Sequence, residues 1–177
     1  NSFIWPKSYK FLPSKIIFSF SSWFINLKLG VRNTPHSVKI AKASDTEVLA
    51  LLGRITYVES HGHFIEDKND LQHYINDAFS ISKTKLELSN SDNLFYIIYV
   101  EKLPVGYAKL VLNKKHETVL SQKNCLIDKI YILNEFIPLK IGPQFFNFLE
   151  EKAQALNWDT MWLSVYITNK RSIRFDA

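Results

Sequence analysis

The segment LNEFIPLKIGPQFF, residues 133–146, has the position of a phosphate-binding turn. It follows the β-rich run CLIDKIYI and precedes FFNFLEEKAQAL, whose apolar residues recur at helical spacing. A turn between a strand and a helix N-terminus presents backbone N–H groups to an anion. This turn has one glycine, two prolines and a lysine. The sequence therefore predicts a phosphate site with fewer amide donors than such turns normally offer.

A second cluster of reactive side chains lies in ESHGHFIED, where His61 and His63 stand among Glu59, Glu66 and Asp67. These residue types can bind a metal. The two histidines are two residues apart, however, which fits neither a helical i, i+4 pair nor a zinc-finger spacing. We interpret the segment as a solvated loop between two helices and expect no metal.

Cys125 is the single cysteine, so the chain cannot form an internal disulfide. A lone cysteine in an apolar run is typical of a buried strand residue, and no local partner marks it as a nucleophile. The absence of a disulfide fits a reducing compartment, and we expect a cytoplasmic protein.

The net charge of +5 does not indicate a nucleic-acid-binding protein. Seven of the 22 basic residues lie before residue 45, where there is no Asp or Glu. The remainder carries 15 basic against 17 acidic side chains. A nucleic-acid partner requires cations clustered on the folded domain, so we exclude this partner class.

Residues 1–36 differ in composition from the rest and form a basic, aromatic and Ser-rich leader or extension. The run KIIFSFSSWFINLKL is shorter than the roughly 20 apolar residues of a membrane-spanning helix. Three interpretations stay open: a targeting leader, an interfacial membrane anchor and an extension packed on the domain. Residues 37–177 are then one domain, long enough for a core of its own.

The first half of this domain predicts one strand, two helices and a hairpin. A strand begins at Val38, and Ser44 with Glu47 three residues later predicts a capping box at the start of a helix. A second helix carries an apolar face from Leu71 to Phe79 and continues or kinks toward Leu86. The runs LFYIIYV and VGYAKLVL form the hairpin.

The second half predicts strand, helix, strand and helix. CLIDKIYIL is the first strand, and Pro143 suits the first position of the helix that follows, where its missing N–H costs least. TMWLSVY alternates as a strand, and TNKRSIRF begins the last helix. A hairpin followed by strand, helix and strand predicts an α/β (α+β) fold with a mixed sheet and helices on its faces.

Residues 126–175 resemble the core of the GCN5-related N-acetyltransferases, the GNAT superfamily. LIDKIYILNEF resembles the family's fourth strand, IPLKIG falls on its Gln/Arg-x-x-Gly-x-Gly/Ala loop, and WLSVYITNKRSIRF resembles its fifth strand and next helix. KLELSNSDNLFYIIYVEKLPVGYAKLVL looks like bacterial polyamine-type members. The resemblance implies a three-layer fold with a mixed, mostly antiparallel sheet, here without the family's last two strands.

The resemblance also implies acetyl-CoA as co-substrate. In the family, pantetheine lies along the fourth strand, here the main chain of Ile130, Tyr131 and Ile132. Asn169 matches a residue that contacts the cofactor. The pyrophosphate-binding loop corresponds to Ile137, Pro138, Leu139, Lys140, Ile141, Gly142 and Pro143.

The loop differs from the family pattern at four residues. Ile137 replaces the Gln/Arg, Lys140 replaces the first glycine, and Pro138 and Pro143 each remove an N–H donor. Lys140 offsets part of this loss as a cation, although it lacks the fork geometry of arginine.

The implied activity is transfer of an acetyl group to the primary amine of a small molecule, with a polyamine as one candidate. Polyamine-type members carry a catalytic Glu on the fourth strand, and Asp128 takes its place here. The family's general acid is a Tyr near the end of this segment, and Asp176 stands at that position here. The alternative is therefore a non-catalytic GNAT-like binding or regulatory module. A homodimer and membrane contact through residues 1–36 stay open.

Overall fold

The computed structural model describes the backbone of residues 13–19, 35–114 and 121–166, and the side chains of 35–114 and 121–163. One six-stranded sheet runs through these residues in the order β1-β6-β5-β4-β3-β2. All neighbours are antiparallel except β5 and β6, which are parallel. The strands are β1 Pro13–Ser19, β2 His36–Ile40, β3 Asn93–Val100, β4 Leu103–Leu112, β5 Asn124–Ile132 and β6 Thr160–Tyr166.

Helices cover both faces of the sheet. They are α1 Thr46–His61, α2 Lys68–Ala78, α3 Ile81–Ser89 and α4 Ile141–Ala155. α1 and α3 pack on one face, with α2 packed against α1, and α4 packs on the other face, which makes three layers. The predicted fold class, a mixed and mostly antiparallel sheet flanked by helices, is confirmed.

The residues of β3 show why the sheet has an apolar core on each side. Side chains of a strand alternate between faces. Tyr96 and Ile98 pack toward α4, whereas Phe95 and Ile97 pack toward α1. A strand buried on both faces reads as a continuous apolar run, which is what LFYIIYV shows.

The start of α1 differs from the prediction. The helix begins at Thr46 after a short 3₁₀ turn, and Ser44 lies within that turn. The Asp45 carboxylate accepts a hydrogen bond from the Lys42 N–H at 2.7 Å, and the Thr46 hydroxyl donates to the Ala43 carbonyl. The predicted capping box of Ser44 and Glu47 is wrong because Asp45 closes the turn instead.

The predicted second helix is two helices. α2 ends before Phe79, and the Ser80 hydroxyl caps α3 by accepting a hydrogen bond from the Lys83 N–H at 3.2 Å. α4 begins at Ile141, so Pro143 is its third residue rather than its first. It still lies in the first turn, where N–H groups have no intrahelical acceptor.

Strand β1 lies inside the segment predicted as a leader or extension. It pairs with β6 along its full length, from Pro13 opposite Tyr166 to Ser19 opposite Thr160. A targeting or anchoring role of residues 1–36 stays a prediction. No helix in the described ranges has the length and apolar character needed to cross a membrane. The predicted last helix lies outside the described residues.

Candidate functional site

Strands β5 and β6 are paired over only part of their length, and we call the unpaired part the β5–β6 split. The two strands pair only where Asn124–Ile127 lie opposite Thr160–Leu163. Beyond that point β5 continues to Ile132 and β6 to Tyr166 with no pairing between them in the described part of the chain. The predicted residues Ile130, Tyr131 and Ile132 lie on this edge of β5. Its main-chain groups are therefore placed to accept an extended ligand as an added strand.

A β-bulge sits where the split begins. Lys109 of β4 pairs with Lys129, and the next residue, Leu110, pairs with Ile127, so Asp128 is the extra residue. Ile127 and Ile130 both pack toward α4 although they are three residues apart. The bulge thereby directs Asp128, the predicted catalytic residue, to the α1 side at the head of the unpaired edge.

Two lysines neutralise the Asp128 carboxylate. Its Oδ2 lies 2.6 Å from Lys129 Nζ and 3.3 Å from Lys109 Nζ. Partial burial raises the pKa of Asp128, but the two ammonium groups outweigh that effect and hold this pKa below its ordinary value. Asp128 is therefore charged at neutral pH and is a weak base.

Lys109 and Glu87 belong to the same charged cluster, and the sequence reasoning missed both. Lys109 is only 6% exposed, and its Nζ lies 3.3 Å from Glu87 Oε1 of α3 and 5.7 Å from the centre of the Phe95 ring. The available signal was a lysine inside the apolar run VGYAKLVL, because a buried lysine needs a partner.

The predicted phosphate turn forms a 3₁₀ helix, Asn134–Leu139, that leads into α4. Lys140 joins the two in the left-handed region, at φ 55° and ψ 31°, and is exposed. Leu139 packs on the core and Ile141 is fully buried, so only their main chains can face a ligand. Ile137, Pro138, Gly142 and Pro143 complete the turn at the end of the unpaired β5 edge.

Gln144 provides a test of whether this turn fits a diphosphate. It follows Pro143 in the first turn of α4, and its Nε2 is buried with no hydrogen-bond partner among the described residues. A buried donor without a partner is costly unless a ligand or water satisfies it. We therefore count this amide as a candidate donor to an anion, in addition to the main chain of the turn. Asn169, the remaining predicted contact, lies outside the described residues.

Aromatic side chains line the α1 side of the site beside Asp128. Ring centres are 5.9 Å apart for Tyr107 and Tyr131, 6.1 Å for Tyr131 and His61, and 4.6 Å for His61 and Tyr57. The Tyr107 hydroxyl is buried without a hydrogen-bond partner among the described residues. Burial, and then the neighbouring Tyr131 and Asp128, raise the pKa of Tyr107 well above its ordinary value.

His61 and His63, considered above as metal ligands, have different surroundings. His61 lies at the end of α1 with Ser60 Oγ 2.8 Å from its Nδ1, whereas His63 is exposed. Burial lowers the pKa of His61 to about 4, against a smaller opposing effect of a hydrogen bond with the Tyr57 backbone. His61 is therefore neutral at physiological pH.

The segment ESHGHFIED, predicted as a loop, is helical from Glu59 to His61, where it forms the end of α1. Two of its three carboxylates have structural partners. Glu59 accepts a hydrogen bond from the Asn134 N–H at 2.9 Å, which ties α1 to the start of the phosphate turn. Asp67 caps α2 by accepting from the Asn69 N–H at 2.7 Å. Glu66 is exposed. Cys125 is fully buried, and burial raises the pKa of its thiol to about 12, as expected for a core residue.

Comparison with known proteins identifies the family. The model of the acetyltransferase (GNAT) family matches residues 55–175, more than half of the chain. This chain belongs to the GNAT family. It is an acetyltransferase, and acetyl-CoA is the co-substrate of its family.

Individual relatives are distant in sequence and similar in fold. The chain is 24% identical over 142 residues to an uncharacterized N-acetyltransferase of Lactobacillus delbrueckii subsp. lactis, covering 79% of this chain and 82% of the relative. The PaiA N-acetyltransferase of Thermoplasma acidophilum, solved in complex with coenzyme A, superposes with a TM-score of 0.67 at 18% identity and 80% and 86% coverage. An aminoglycoside acetyltransferase from an uncultured soil metagenomic sample, in complex with sisomicin, gives 0.59 at 10% identity and 80% and 84% coverage.

Proposed function

We propose that this protein transfers the acetyl group of acetyl-CoA to the primary amine of a small molecule. The observation that carries the proposal is the unpaired β5 edge, which runs from Asp128 at the bulge to the phosphate turn before α4. Pantetheine pairs with Ile130, Tyr131 and Ile132, and residues 137–143 hold the pyrophosphate. Asn169 is the further contact that the family resemblance supports.

In this reaction the amine nitrogen attacks the thioester carbonyl carbon, the C–N bond forms and the C–S bond breaks. The nitrogen loses one proton and the CoA thiolate gains one, so no other reactant is needed. Holding the two reactants together supplies much of the acceleration. Asp128 orients the amine by accepting a hydrogen bond from it, directly or through a water, because its low pKa makes it a poor proton acceptor.

The acceptor binds on the α1 side, against the aromatic side chains around Tyr131. Tyrosine faces attract cations, which suits an amine. A polyamine is the acceptor class to test first, because the sequence resembles the polyamine-type members. A location in the cytoplasm and a homodimer stay predictions.

The acidic residues of ESHGHFIED border the acceptor site and attract a cationic amine, and Glu66 tests this part of the proposal. Replacing Glu59 or Asp67 would also disturb α1 or α2, whereas Glu66 is free for this purpose because it is exposed. We expect Glu66→Gln to raise the KM of a cationic amine about twofold to threefold at low salt, as for one screened surface charge. Glu151→Gln, at an exposed position of α4, is the control. An unchanged KM would remove the loop from acceptor recognition.

The deciding experiment has two steps. Isothermal titration with acetyl-CoA measures binding, and release of the CoA thiol then measures turnover with polyamines, aminoglycosides and simple monoamines. Micromolar binding with turnover of one class supports the proposal. Binding without turnover of any amine would contradict the proposed acceptor class. A folded chain that binds no acetyl-CoA would favour the non-catalytic module instead.

A further inference from the structure

Lys109 is a buried cation that connects three elements of the fold. It projects from β4, its ammonium lies 3.3 Å from Glu87 of α3, and it lies at the same distance from Asp128 of β5. Its side chain is 8% exposed, against 30% for Asp128. A buried lysine loses its hydration, so two carboxylate partners and the Phe95 ring are needed to stabilise it.

The bulge gives this arrangement a role in the site. The backbone of Asp128 pairs with no residue of β4, so strand pairing fixes this backbone less firmly than that of its neighbours. Its carboxylate is held instead by Lys109 from one side and by Lys129 from the other. Lys129 follows Asp128 directly and lies on the same bulged strand, so it does not fix the bulge from outside. Lys109 belongs to a different strand, and its contact with Glu87 anchors it to α3.

We propose that Lys109 is the positioning residue that fixes the Asp128 carboxylate at the head of the β5–β6 split. The inference rests on the proposed function, because it assigns Asp128 to the acceptor amine. Lys109 itself does not touch the substrates. It acts through Asp128, and Glu87 holds Lys109 in turn.

The charged and titratable groups around Asp128 set its protonation. They are Lys109 and Tyr107 on β4, Lys129 and Tyr131 on β5, and Glu87 on α3. Without the Lys109 charge, Lys129 is the one cation left in this group. The negative charge of Glu87 is then also no longer neutralised by Lys109. Both changes favour the protonated carboxyl, so the pKa of Asp128 rises.

The test replaces Lys109 and follows Asp128 directly. In Lys109→Met we expect carboxyl ¹³C NMR to show Asp128 titrating at a higher pH than in the wild type, with Asp128→Asn assigning the signal. We expect kcat/KM for the amine to fall about tenfold, as for one charge-assisted contact. The Kd of acetyl-CoA stays unchanged. Lys109→Arg restores most of the activity because it keeps a cation in place.

Lys109→Met leaves the partly buried carboxylates of Glu87 and Asp128 without the cation that lies 3.3 Å from each, and is therefore at risk of unfolding. The double variant Lys109→Met/Glu87→Gln removes the cation together with its α3 partner, which is far less destabilising. It should still raise the pKa of Asp128, by less than Lys109→Met does because the Glu87 charge is also gone, and it should show the same fall in kcat/KM. A folded variant with wild-type Asp128 titration, or with wild-type kcat/KM, would overturn the proposal.

The two readouts separate this inference from the proposed function. If the wild-type protein acetylates no amine, the proposed function fails, and the inference fails with it. The NMR titration would then show only whether Lys109 controls the charge of Asp128. If the wild type is active and Lys109→Met/Glu87→Gln is equally active, the proposed function stands and the positioning role does not.

Discussion

His61 has a lowered pKa, and the cause is its burial at the end of α1. Burial disfavours the imidazolium, so the pKa falls from 6.5 to about 4 in the folded protein. Between these two values the unfolded chain binds a proton that the folded protein does not. The contribution of His61 to stability is therefore constant above pH 6.5 and declines as the pH falls toward 4.

The first prediction concerns this decline. Each unit of pKa shift corresponds to about 1.4 kcal/mol, and partial solvent access lowers the total to roughly 2 kcal/mol. We expect urea unfolding at pH 7 and pH 4.5 to show this loss in the wild type and a smaller one in His61→Phe, which keeps the stacking on Tyr57. His73→Gln, at an exposed position of α2, is the control. An equal loss in His61→Phe would disprove the assignment.

Lys140 combines an unfavourable backbone conformation with a useful charge. A non-glycine residue in the left-handed region costs about 1 kcal/mol. We expect Lys140→Gly to raise the free energy of unfolding by roughly 0.5–1 kcal/mol. We also expect it to weaken acetyl-CoA binding about fivefold at low salt, or ~1 kcal/mol, because the cation near the phosphates is lost.

Lys140→Gln separates the two effects. It removes the charge but keeps a non-glycine residue in the left-handed region, with the same conformational cost. We expect the same loss of affinity, measured by titration, with no gain in stability. If neither variant binds acetyl-CoA more weakly, Lys140 does not contact the phosphates.

At the scale of elements, the β4–β5 pair holds the bulge, and Gly106 allows its close packing. A Cβ at this position would lie 2.4 Å from the Tyr131 carbonyl oxygen and 3.0 Å from side-chain atoms of Ile132 and Ile98. The nearest conflict is with backbone, which cannot turn away as a side chain can. The strands would have to separate next to the proposed pantetheine edge.

We therefore expect Gly106→Ala to lower the free energy of unfolding by about 3 kcal/mol. For a chain of this size that is a fall in Tm of roughly 6–12 °C, measurable by circular dichroism. Acetyl-CoA binding should weaken as well, because Tyr131 lies on the unpaired edge. A Tm within a degree of the wild type would show that β4 and β5 separate more easily than their contacts indicate.

At the scale of the whole molecule, a ligand in the β5–β6 split would join the two halves of the sheet. Ligand that binds only the folded state stabilises it by about 2.7 kcal/mol at a hundredfold excess over Kd. We expect acetyl-CoA at that level to raise the Tm by roughly 5–11 °C. Adenosine 3′,5′-bisphosphate has no pantetheine to pair with β5 and should give a clearly smaller shift. Equal shifts would mean that the β5 edge is not used.

Strand and helix positions were largely readable from the sequence, because they depend on local periodicity. The buried run LFYIIYV, the alternation of TMWLSVY and the helical spacing after Gly142 each predicted an element that the structure contains. Strand β1 was not predicted, and the other errors occurred at helix ends. Asp45 displaced the predicted capping box, and Ser80 divided one predicted helix into two, because several polar residues compete for the same backbone donors.

The sequence by itself determined the apolar pattern of the sheet and the position of the turn before α4, since each follows from neighbouring residues, and the family resemblance indicated the candidate Asp128. Tertiary structure decided the register of β4 against β5, and with it the bulge that brings Lys109 and Asp128 together. It also decided that Glu87, 22 residues before Lys109 in the chain, completes the cluster. Contacts between residues far apart in the chain depend on how strands align and helices pack, and no local pattern encodes that alignment.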